Sequence, residues 1–204
     1  MIHRRSLLTF VAATAALSAA RPARAQVTEK AAAFIKTTGD KIVSVVNGPG
    51  SPNSKRAAMT RIVDSYVDVD EIGRFCLGRY WRQATSEQQK QYLTLFREVL
   101  VTNITAKVGE YQGVKFTMGR SRMDDEDAVV STVVERPNNP PTNVDWVVSN
   151  PSFNPKIVDV KAEGTSLRLT QRQDYASYLQ HNNNNIDALI TAMRNQVSQG
   201  SQAG

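Results

Sequence analysis

The segment SEQQKQYLTLFREVLVTNITAKVGEYQGVKFTMG, residues 86–119, indicates the class of fold because its hydrophobic period changes partway along. Apolar residues first recur at the three- and four-residue spacing of one helical face, which predicts a helix over Ser86–Tyr111. The letters SEQQ at its start predict a capping box. After Gly113 the period becomes two, which predicts a strand that buries Val114, Phe116 and Met118 on one face. One segment therefore joins a helical layer to a sheet.

The chain before this segment predicts three shorter helices. Apolar residues recur at helical spacing over Lys30–Val46, Lys55–Tyr66 and Asp70–Leu77. The loop NGPGSP at residues 47–52 separates the first two, because glycine and proline interrupt regular structure. Asp68 and Asp70 are both candidates to cap the third helix.

The chain after this segment predicts a sheet and a closing helix. Alternating or β-branched runs predict strands over Val114–Gly119, Ala128–Glu135, Val144–Ser149, Ile157–Ala162 and Ser166–Thr170. Their spacing and turn-rich connections favour antiparallel pairing. A short helix is predicted over Asp174–Leu179 and a final helix over Ile186–Val197. Helices followed by strands indicate a single α+β domain, in which the helices pack on one antiparallel sheet.

The N-terminal residues have the composition of a cleavable export signal. Arg4 and Arg5 precede the uncharged stretch Leu7–Ala20, and ARA at residues 23–25 forms an A-x-A cleavage site. A membrane anchor is the alternative, but the apolar stretch is shorter than the roughly 20 residues that span a bilayer. We predict a signal peptide over residues 1–25, a domain over residues 26–197 and a disordered tail over residues 198–204.

Removal of this signal changes the interpretation of the charge. The chain has 25 Lys and Arg against 19 Asp and Glu, and four of the arginines lie in the signal, so the net charge falls from +6 to +2. That near balance argues against nucleic-acid binding. The Arg4-Arg5 pair is compatible with a twin-arginine signal and with an ordinary secretory signal. Cys76 is the single cysteine, and its apolar neighbours predict a buried structural thiol.

Few residues of the chain suit catalysis or metal binding. Without the signal, His181 is its only histidine, which argues against a Ser-His-Asp triad and a clustered zinc site. The acidic run DDED at residues 124–127 lacks the spaced ligands and central glycine of an EF-hand loop. We interpret it as a solvated hairpin turn, with a calcium site as the alternative. We predict no metal, no cofactor and no enzymatic activity, and a carboxylate-only hydrolase stays an alternative.

Two longer segments carry a resemblance to a known family. The first is VDEIGRFCLGRYWR at residues 69–82, followed by TSEQ at residues 85–88. The second is VDVKAEGTSLRLTQRQDY at residues 158–175, followed by IDALI at residues 186–190. In this combination and order they resemble the MlaC, or toluene-tolerance, family over nearly the whole mature chain. The resemblance implies an α+β fold in which a curved sheet and helices enclose an apolar cavity.

The resemblance also implies a function. Members of the family are periplasmic carriers that hold a phospholipid by its acyl chains, without a covalent step. They exchange lipid with an inner-membrane ABC complex and an outer-membrane lipoprotein complex, which maintains the lipid asymmetry of the outer membrane. A hopanoid-associated branch of the same family is one alternative. A ligand-free periplasmic adaptor module with a filled core is another.

If the chain encloses such a cavity, the inward faces of its helices and strands supply the lipid-binding residues. From the helices we expect Ile72, Phe75, Tyr80, Trp81, Phe96, Leu100 and Ile104. From the sheet we expect Phe116, Met118, Val130, Val144, Trp146, Val148, Leu167 and Leu169. For each of them, ordinary core packing is the alternative. Arg79 and Arg82 are candidates for contact with the phosphate or with an acidic partner, and simple solvation is the alternative for both.

Overall fold

The chain forms a helical layer packed against one sheet. The computed structural model describes residues 20–202. Within this range the helices are α1 (Ala20–Asn47), α2 (Pro52–Tyr66), α3 (Val69–Leu77), α4 (Ser86–Ala106), α5 (Leu167–His181) and α6 (Ile186–Gln202). The strands are β1 (Lys115–Asp124), β2 (Asp127–Glu135), β3 (Thr142–Ser149), β4 (Lys156–Ala162) and β5 (Thr165–Ser166). Short 3₁₀ helices follow α3 at Gly78–Arg82 and α4 at Val108–Tyr111.

The predicted export signal lies mostly outside the described residues. The arginine pair and the apolar stretch up to residue 19 belong to that part of the chain. Helix α1 begins at Ala20, continues past the predicted cleavage site after Ala25, and includes the helix predicted over Lys30–Val46. The signal peptide and its cleavage therefore stay predictions. Within residues 20–202, no helix has the length and apolar character needed to cross a membrane.

The five strands form one sheet in sequence order, and every neighbouring pair is antiparallel. Trp146 on β3 pairs with Val130 on β2 and with Val160 on β4. The pairing of β1 with β2 shifts register between Met118 and Ser121, an irregularity of the kind that bends a strand. The predicted α+β class is confirmed. The acidic run at residues 124–127 forms the turn between β1 and β2, as the sequence predicted.

The helix starts are set by side chains that accept backbone hydrogen bonds. Thr85 caps α4, since its Oγ1 accepts from the Gln88 amide at 3.2 Å while the Gln88 Oε1 accepts from the Thr85 amide at 3.0 Å. This capping box begins one residue before the predicted one at Ser86. Asp68 caps α3 by accepting from the Glu71 amide at 3.0 Å. Of the two predicted candidates, Asp68 is therefore the cap.

The segment after β4 corrects the sequence prediction. A strand was expected over Ser166–Thr170 and a short helix over Asp174–Leu179, but β5 ends at Ser166 and α5 starts at Leu167. The reason is Asp159 on β4, whose carboxylate accepts from the Ser166 hydroxyl at 2.6 Å and from the Arg168 amide at 3.2 Å. The Ser166 Oγ also accepts from the Leu169 amide at 3.1 Å, which caps α5.

The C-terminal helix is also longer than expected. The sequence predicted a helix that ends at Val197 and a disordered tail over residues 198–204, whereas α6 continues to Gln202. Gly200 lies so close to Thr102 of α4 that a Cβ there would overlap the threonine methyl group. The end of α6 thus packs along α4.

Different partners hold the helices around the sheet. Helix α4 packs on α6, and α5 packs on α3 and on β4. Helix α1 covers part of the sheet, where Ala31 and Ile35 pack against Val130, Val148 and Ile157. Helices α3 and α6 each contact both α4 and α5, so these four helices form one connected layer.

Candidate functional site

A cavity of about 670 Å³ lies between the sheet and the helices. It is lined by side chains from α1 to α5 and from β1 to β4, most of which are aliphatic or aromatic. The volume lies within the range of roughly 300–1,000 Å³ that is typical of pockets for small molecules. A filled core, which the adaptor alternative predicted, is not what the structure contains.

Trp146 forms a fixed part of the cavity wall on the sheet. Its indole Nε1 donates to Thr132 Oγ1 at 3.0 Å, and Thr132 Oγ1 lies 3.2 Å from the Val144 carbonyl, to which it donates. Thr132 is buried. Because the indole N–H already has an acceptor, the ring can face the cavity without an unsatisfied polar atom. This part of the wall is therefore both apolar and positioned by hydrogen bonds.

An aromatic cluster joins α4 and α5 at the cavity. The ring centroid of Tyr175 lies 6.1 Å from that of Tyr92 and 6.5 Å from that of Phe96, both in edge-on arrangements. The Tyr92 hydroxyl donates to the Gly73 carbonyl at 2.8 Å, which also ties the cluster to α3. Burial raises the pKa of both Tyr92 and Tyr175, so both phenols are neutral. Phe96 and Tyr175 line the cavity from this cluster.

Asp159, Arg168 and Cys76 form a polar part of the wall in which each group has a partner. Buried Asp159 accepts the hydrogen bonds that start α5, and its Oδ2 lies 3.7 Å from Arg168 Nε. The Arg168 guanidinium also lies 3.9 Å from Glu71 and stacks 4.5 Å from the Phe75 ring centroid. Cys76 Sγ donates to the Arg168 carbonyl at 3.4 Å, and burial raises the pKa of this thiol to about 12. The arginine and aspartate balance one another, and the thiol is neutral.

The opening of the cavity lies between α4 and α5. The exposed residues among its lining all belong to the end of α4, with the residue after it, or to the first part of α5. They are Asn103, Ile104, Lys107, Leu167, Thr170 and Asp174. Ile104 and Leu167 are large apolar side chains with 36% and 52% of their surface exposed. The mouth therefore combines apolar side chains with a polar rim.

The structure brings seven of the fifteen predicted residues to this cavity. They are Ile72, Phe96, Leu100, Ile104, Phe116, Trp146 and Leu167. The other eight do not line it: Phe75, Tyr80, Trp81, Met118, Val130, Val144, Val148 and Leu169. Whether any of them contacts lipid stays a prediction, but their positions show why the two groups differ.

Of the eight, those on the helices pack elsewhere. Tyr80 is buried among helices, and its hydroxyl donates to Asn184 Oδ1 at 2.7 Å. The Trp81 ring centroid lies 5.5 Å from the Arg74 guanidinium. The Phe75 ring centroid lies 4.5 Å from the Arg168 guanidinium and 5.0 Å from that of Arg172. These aromatic rings pack against arginines and the helical core and not against the cavity.

Those on the sheet are covered by α1 or belong to a different element. Met118, Val130 and Val148 pack in the cluster under α1, and Val144 is buried. The sequence predicts that Leu167 and Leu169 both line the cavity, because alternate residues of a strand share a face. In the helix α5 they point in different directions, so only Leu167 reaches the cavity.

The residues of α1 and α2 that line the cavity were not predicted from the sequence. Ile42, Val43, Val46, Met59, Ile62 and Val63 all line the cavity. Most of them stand in the apolar stripes that predicted the two helices, so a signal for burial was present. Arg79 and Arg82 do not line the cavity, and Arg79 stacks on Tyr80 with its guanidinium 4.9 Å from the ring centroid.

An antiparallel sheet and helices that enclose an apolar cavity define the class of α+β ligand-binding proteins. The MlaC protein family model matches residues 36–195. The chain therefore belongs to the MlaC family, and the resemblance seen in the sequence is confirmed.

Two known proteins are similar to this chain. The toluene tolerance protein ttg2D of Pseudomonas putida is 26% identical over 204 residues, which are 99% of this chain and 94% of that protein. The structure of a phospholipid-binding protein from Ralstonia solanacearum, in complex with a phospholipid, has the same fold with a TM-score of 0.71. The match covers 84% of this chain and 98% of that chain at 22% identity.

Proposed function

We propose that this protein is a periplasmic carrier that holds a phospholipid by its acyl chains in the cavity between sheet and helices. The observation that carries the proposal is the apolar cavity with a single group of exposed lining residues at its mouth. Membership of the MlaC family and the phospholipid complex of the Ralstonia solanacearum protein support it. The carrier moves lipid between an inner-membrane ABC complex and an outer-membrane lipoprotein complex, which maintains outer-membrane asymmetry.

The physical need for such a carrier follows from the hydrophobic effect. Each methylene buried away from water contributes about 0.8 kcal/mol, so a lipid with roughly thirty methylenes faces a barrier on the order of 20 kcal/mol in water. A cavity that accepts the tails removes most of this barrier. The transfer makes and breaks no covalent bond, so the proposed function includes no catalytic step.

The mouth suits a ligand with apolar tails and a polar head. Ile104 and Leu167 shelter the tails where they enter, while Asn103, Lys107 and Thr170 surround them with groups that stay in water. A head group at this rim keeps its hydration, so its binding requires no buried charge. The charged pair of Asp159 and Arg168 is already balanced and leaves the wall near it without net charge.

Extraction of the purified protein with organic solvent, followed by mass spectrometry, tests the proposal. We expect copurified phospholipid in amounts comparable with the protein. Absence of phospholipid from the extract, together with no uptake of lipid from phospholipid vesicles, would contradict the proposal. A hopanoid in the extract would instead favour the hopanoid-associated branch of the family.

Leu167 and Leu169 provide a matched pair of variants for the site. Both are leucines on α5 and both are about half exposed, at 52% and 46%, but only Leu167 lines the cavity. Leu167→Glu places a carboxylate where the tails enter, and a charge there is costly to desolvate. We expect it to weaken phospholipid binding about tenfold, which is about 1.4 kcal/mol. Leu169→Glu should leave binding unchanged, and an equal effect of both variants would contradict the assignment of the mouth.

A further inference from the structure

Phe116 of β1 and Gly39 of α1 make an unusually close contact at the cavity. Both residues line it, and Gly39 is buried against the phenyl ring. A Cβ added at Gly39 would overlap the ring's Cζ and would lie 2.7 Å from both Cε atoms. Real carbon atoms do not approach that closely, so the ring occupies the space that any other residue at position 39 would need. The absence of a side chain there lets the phenyl ring lie against the backbone of α1.

Phe116 differs from Trp146, the other aromatic residue that the sheet contributes to the cavity. Trp146 is held by its hydrogen bond to Thr132 at 3.0 Å. Phe116 has no polar atom that could hold it, and its ring position is set by packing alone. On one side of the ring is the backbone of α1, and its β2 neighbour Val134 also lines the cavity. The space into which the ring can move is therefore the cavity itself.

We propose that the contact between Gly39 and Phe116 sets the cavity volume beneath α1 and thereby selects the length of the acyl chains that the protein binds. This inference rests on the proposed function. Because Gly39 lets the ring lie against α1, the cavity is wider than it would be with any other residue there. Because a phenyl ring stands at position 116, the cavity is smaller than it would be with an aliphatic residue. The two positions act on the same volume in opposite directions.

The two substitutions should therefore shift the acyl-chain length of the bound lipid in opposite directions. General destabilisation of the protein would not produce opposite shifts. Phe116→Ala removes the ring and extends the space beneath α1, so more of a longer acyl chain can be buried. Gly39→Ala pushes the ring away from α1 and into the cavity, so less of a longer chain can be buried. Each additional methylene that becomes buried or exposed should change the ratio of bound long-chain to bound short-chain lipid about fourfold, the equivalent of about 0.8 kcal/mol.

The experiment is a competition between lipids of different length. Purified protein and each variant are incubated with vesicles of phosphatidylglycerols that share one head group and differ only in saturated acyl-chain length. The bound species are then read by native mass spectrometry. Relative to the unsubstituted chain, we expect Phe116→Ala to bind longer chains and Gly39→Ala to bind shorter ones. Phe116→Leu is a milder change and should shift the distribution in the same direction as Phe116→Ala.

Two control variants distinguish an effect of cavity volume from an effect of lost packing on α1 or of a glycine-to-alanine change elsewhere. Phe34→Ala also removes a phenyl ring that packs α1, with its centroid 5.7 Å from Tyr66, but Phe34 does not line the cavity. Gly109→Ala adds a methyl group where, apart from its chain neighbours and the backbone of its own helical turn, no heavy atom of the described residues lies within 4 Å. Neither control should change the distribution of chain lengths.

Each outcome decides the inference. Opposite shifts in the two variants, with unchanged controls, support it. Identical distributions in every folded variant, or shifts of Phe116→Ala and Gly39→Ala in the same direction, would overturn it while leaving lipid binding intact. If the unsubstituted chain binds no phosphatidylglycerol of any length and extraction also yields no phospholipid, the proposed function fails and the inference fails with it.

Discussion

Replacement of Asp159 with alanine should destabilise the protein by releasing the start of α5. The Asp159 carboxylate is buried and accepts from the Ser166 hydroxyl at 2.6 Å, the Arg168 amide at 3.2 Å and the Val160 amide at 2.8 Å. Two of these donors belong to the first turn of α5 or to its cap. No other group of the described residues accepts a hydrogen bond from the Ser166 hydroxyl.

The magnitude follows from the hydrogen bonds that are lost. A hydrogen bond to a charged group contributes about 1.5–3 kcal/mol, and the two bonds to Ser166 and Arg168 are partly accessible to water, so we expect a loss of about 3 kcal/mol. The ion pair with Arg168 adds little, because its Nε lies 3.7 Å from the carboxylate and Glu71 remains beside the guanidinium. Asp159→Asn keeps one acceptor oxygen and should lose about half as much.

Urea unfolding monitored by circular dichroism measures this free energy. The midpoint should fall while the slope with urea stays constant, because the surface exposed on unfolding hardly changes. Asp145→Ala on β3 is the matched control, since Asp145 makes no side-chain hydrogen bond or ion pair with the described residues. We expect that control to change stability by less than about 0.5 kcal/mol.

The refuting result is a loss in Asp159→Ala no larger than that of Asp145→Ala. It would mean that Ser166 and the rest of the sequence start α5 without help from β4. A second consequence concerns binding: Leu167 and Arg168 lie in the first turn of α5 and line the cavity. A variant that loosens this turn should therefore also bind lipid more weakly than Asp145→Ala does.

Two further predictions concern buried groups of α3 and α4. Tyr92→Phe removes the 2.8 Å hydrogen bond to the Gly73 carbonyl but keeps the ring. The free energy of unfolding, measured by urea unfolding, should therefore fall by about 1 kcal/mol. An unchanged midpoint would show that this hydrogen bond makes no net contribution to stability. Burial raises the pKa of Cys76 to about 12, so at a pH near the ordinary thiol pKa of about 8.5 the group stays protonated. A charged thiol reagent should then label Cys76 only after unfolding, and rapid labelling of the native protein would contradict its burial.

Much of the fold could be predicted because its signals are local. The change from helical to alternating period after Gly113 marked where the long helix gives way to the sheet. Four of the five strands were placed correctly, although β1 continues to Asp124, beyond the predicted end at Gly119. The buried state of Cys76 and the hairpin turn at residues 124–127 were also predicted. Each of these features depends on residues close together in the chain, where spacing reports directly on which face is buried.

The segment SLRLT at residues 166–170 shows where prediction from the local sequence pattern fails. Its alternating leucines predict a strand, yet it begins a helix because Asp159, on the neighbouring strand, accepts hydrogen bonds from Ser166 and Arg168. The error carried over to the site, since a strand would place Leu167 and Leu169 on the same face. In the helix only Leu167 lines the cavity.

Local sequence patterns were sufficient to predict the family, the α+β class and the apolar faces that are buried. Which of those faces meet one another and which surround a cavity became visible only in the folded chain. Met118 and Val130 pack under α1 and do not line the cavity, whereas Trp146 packs in the same cluster, Phe116 packs on Gly39 of α1, and both also line the cavity. The physical reason is that hydrophobic periodicity records removal from water and is the same for a packed core and a cavity wall. The cavity is bordered by residues of α1 to α5 and β1 to β4, so its formation depends on packing between segments that are far apart in the chain.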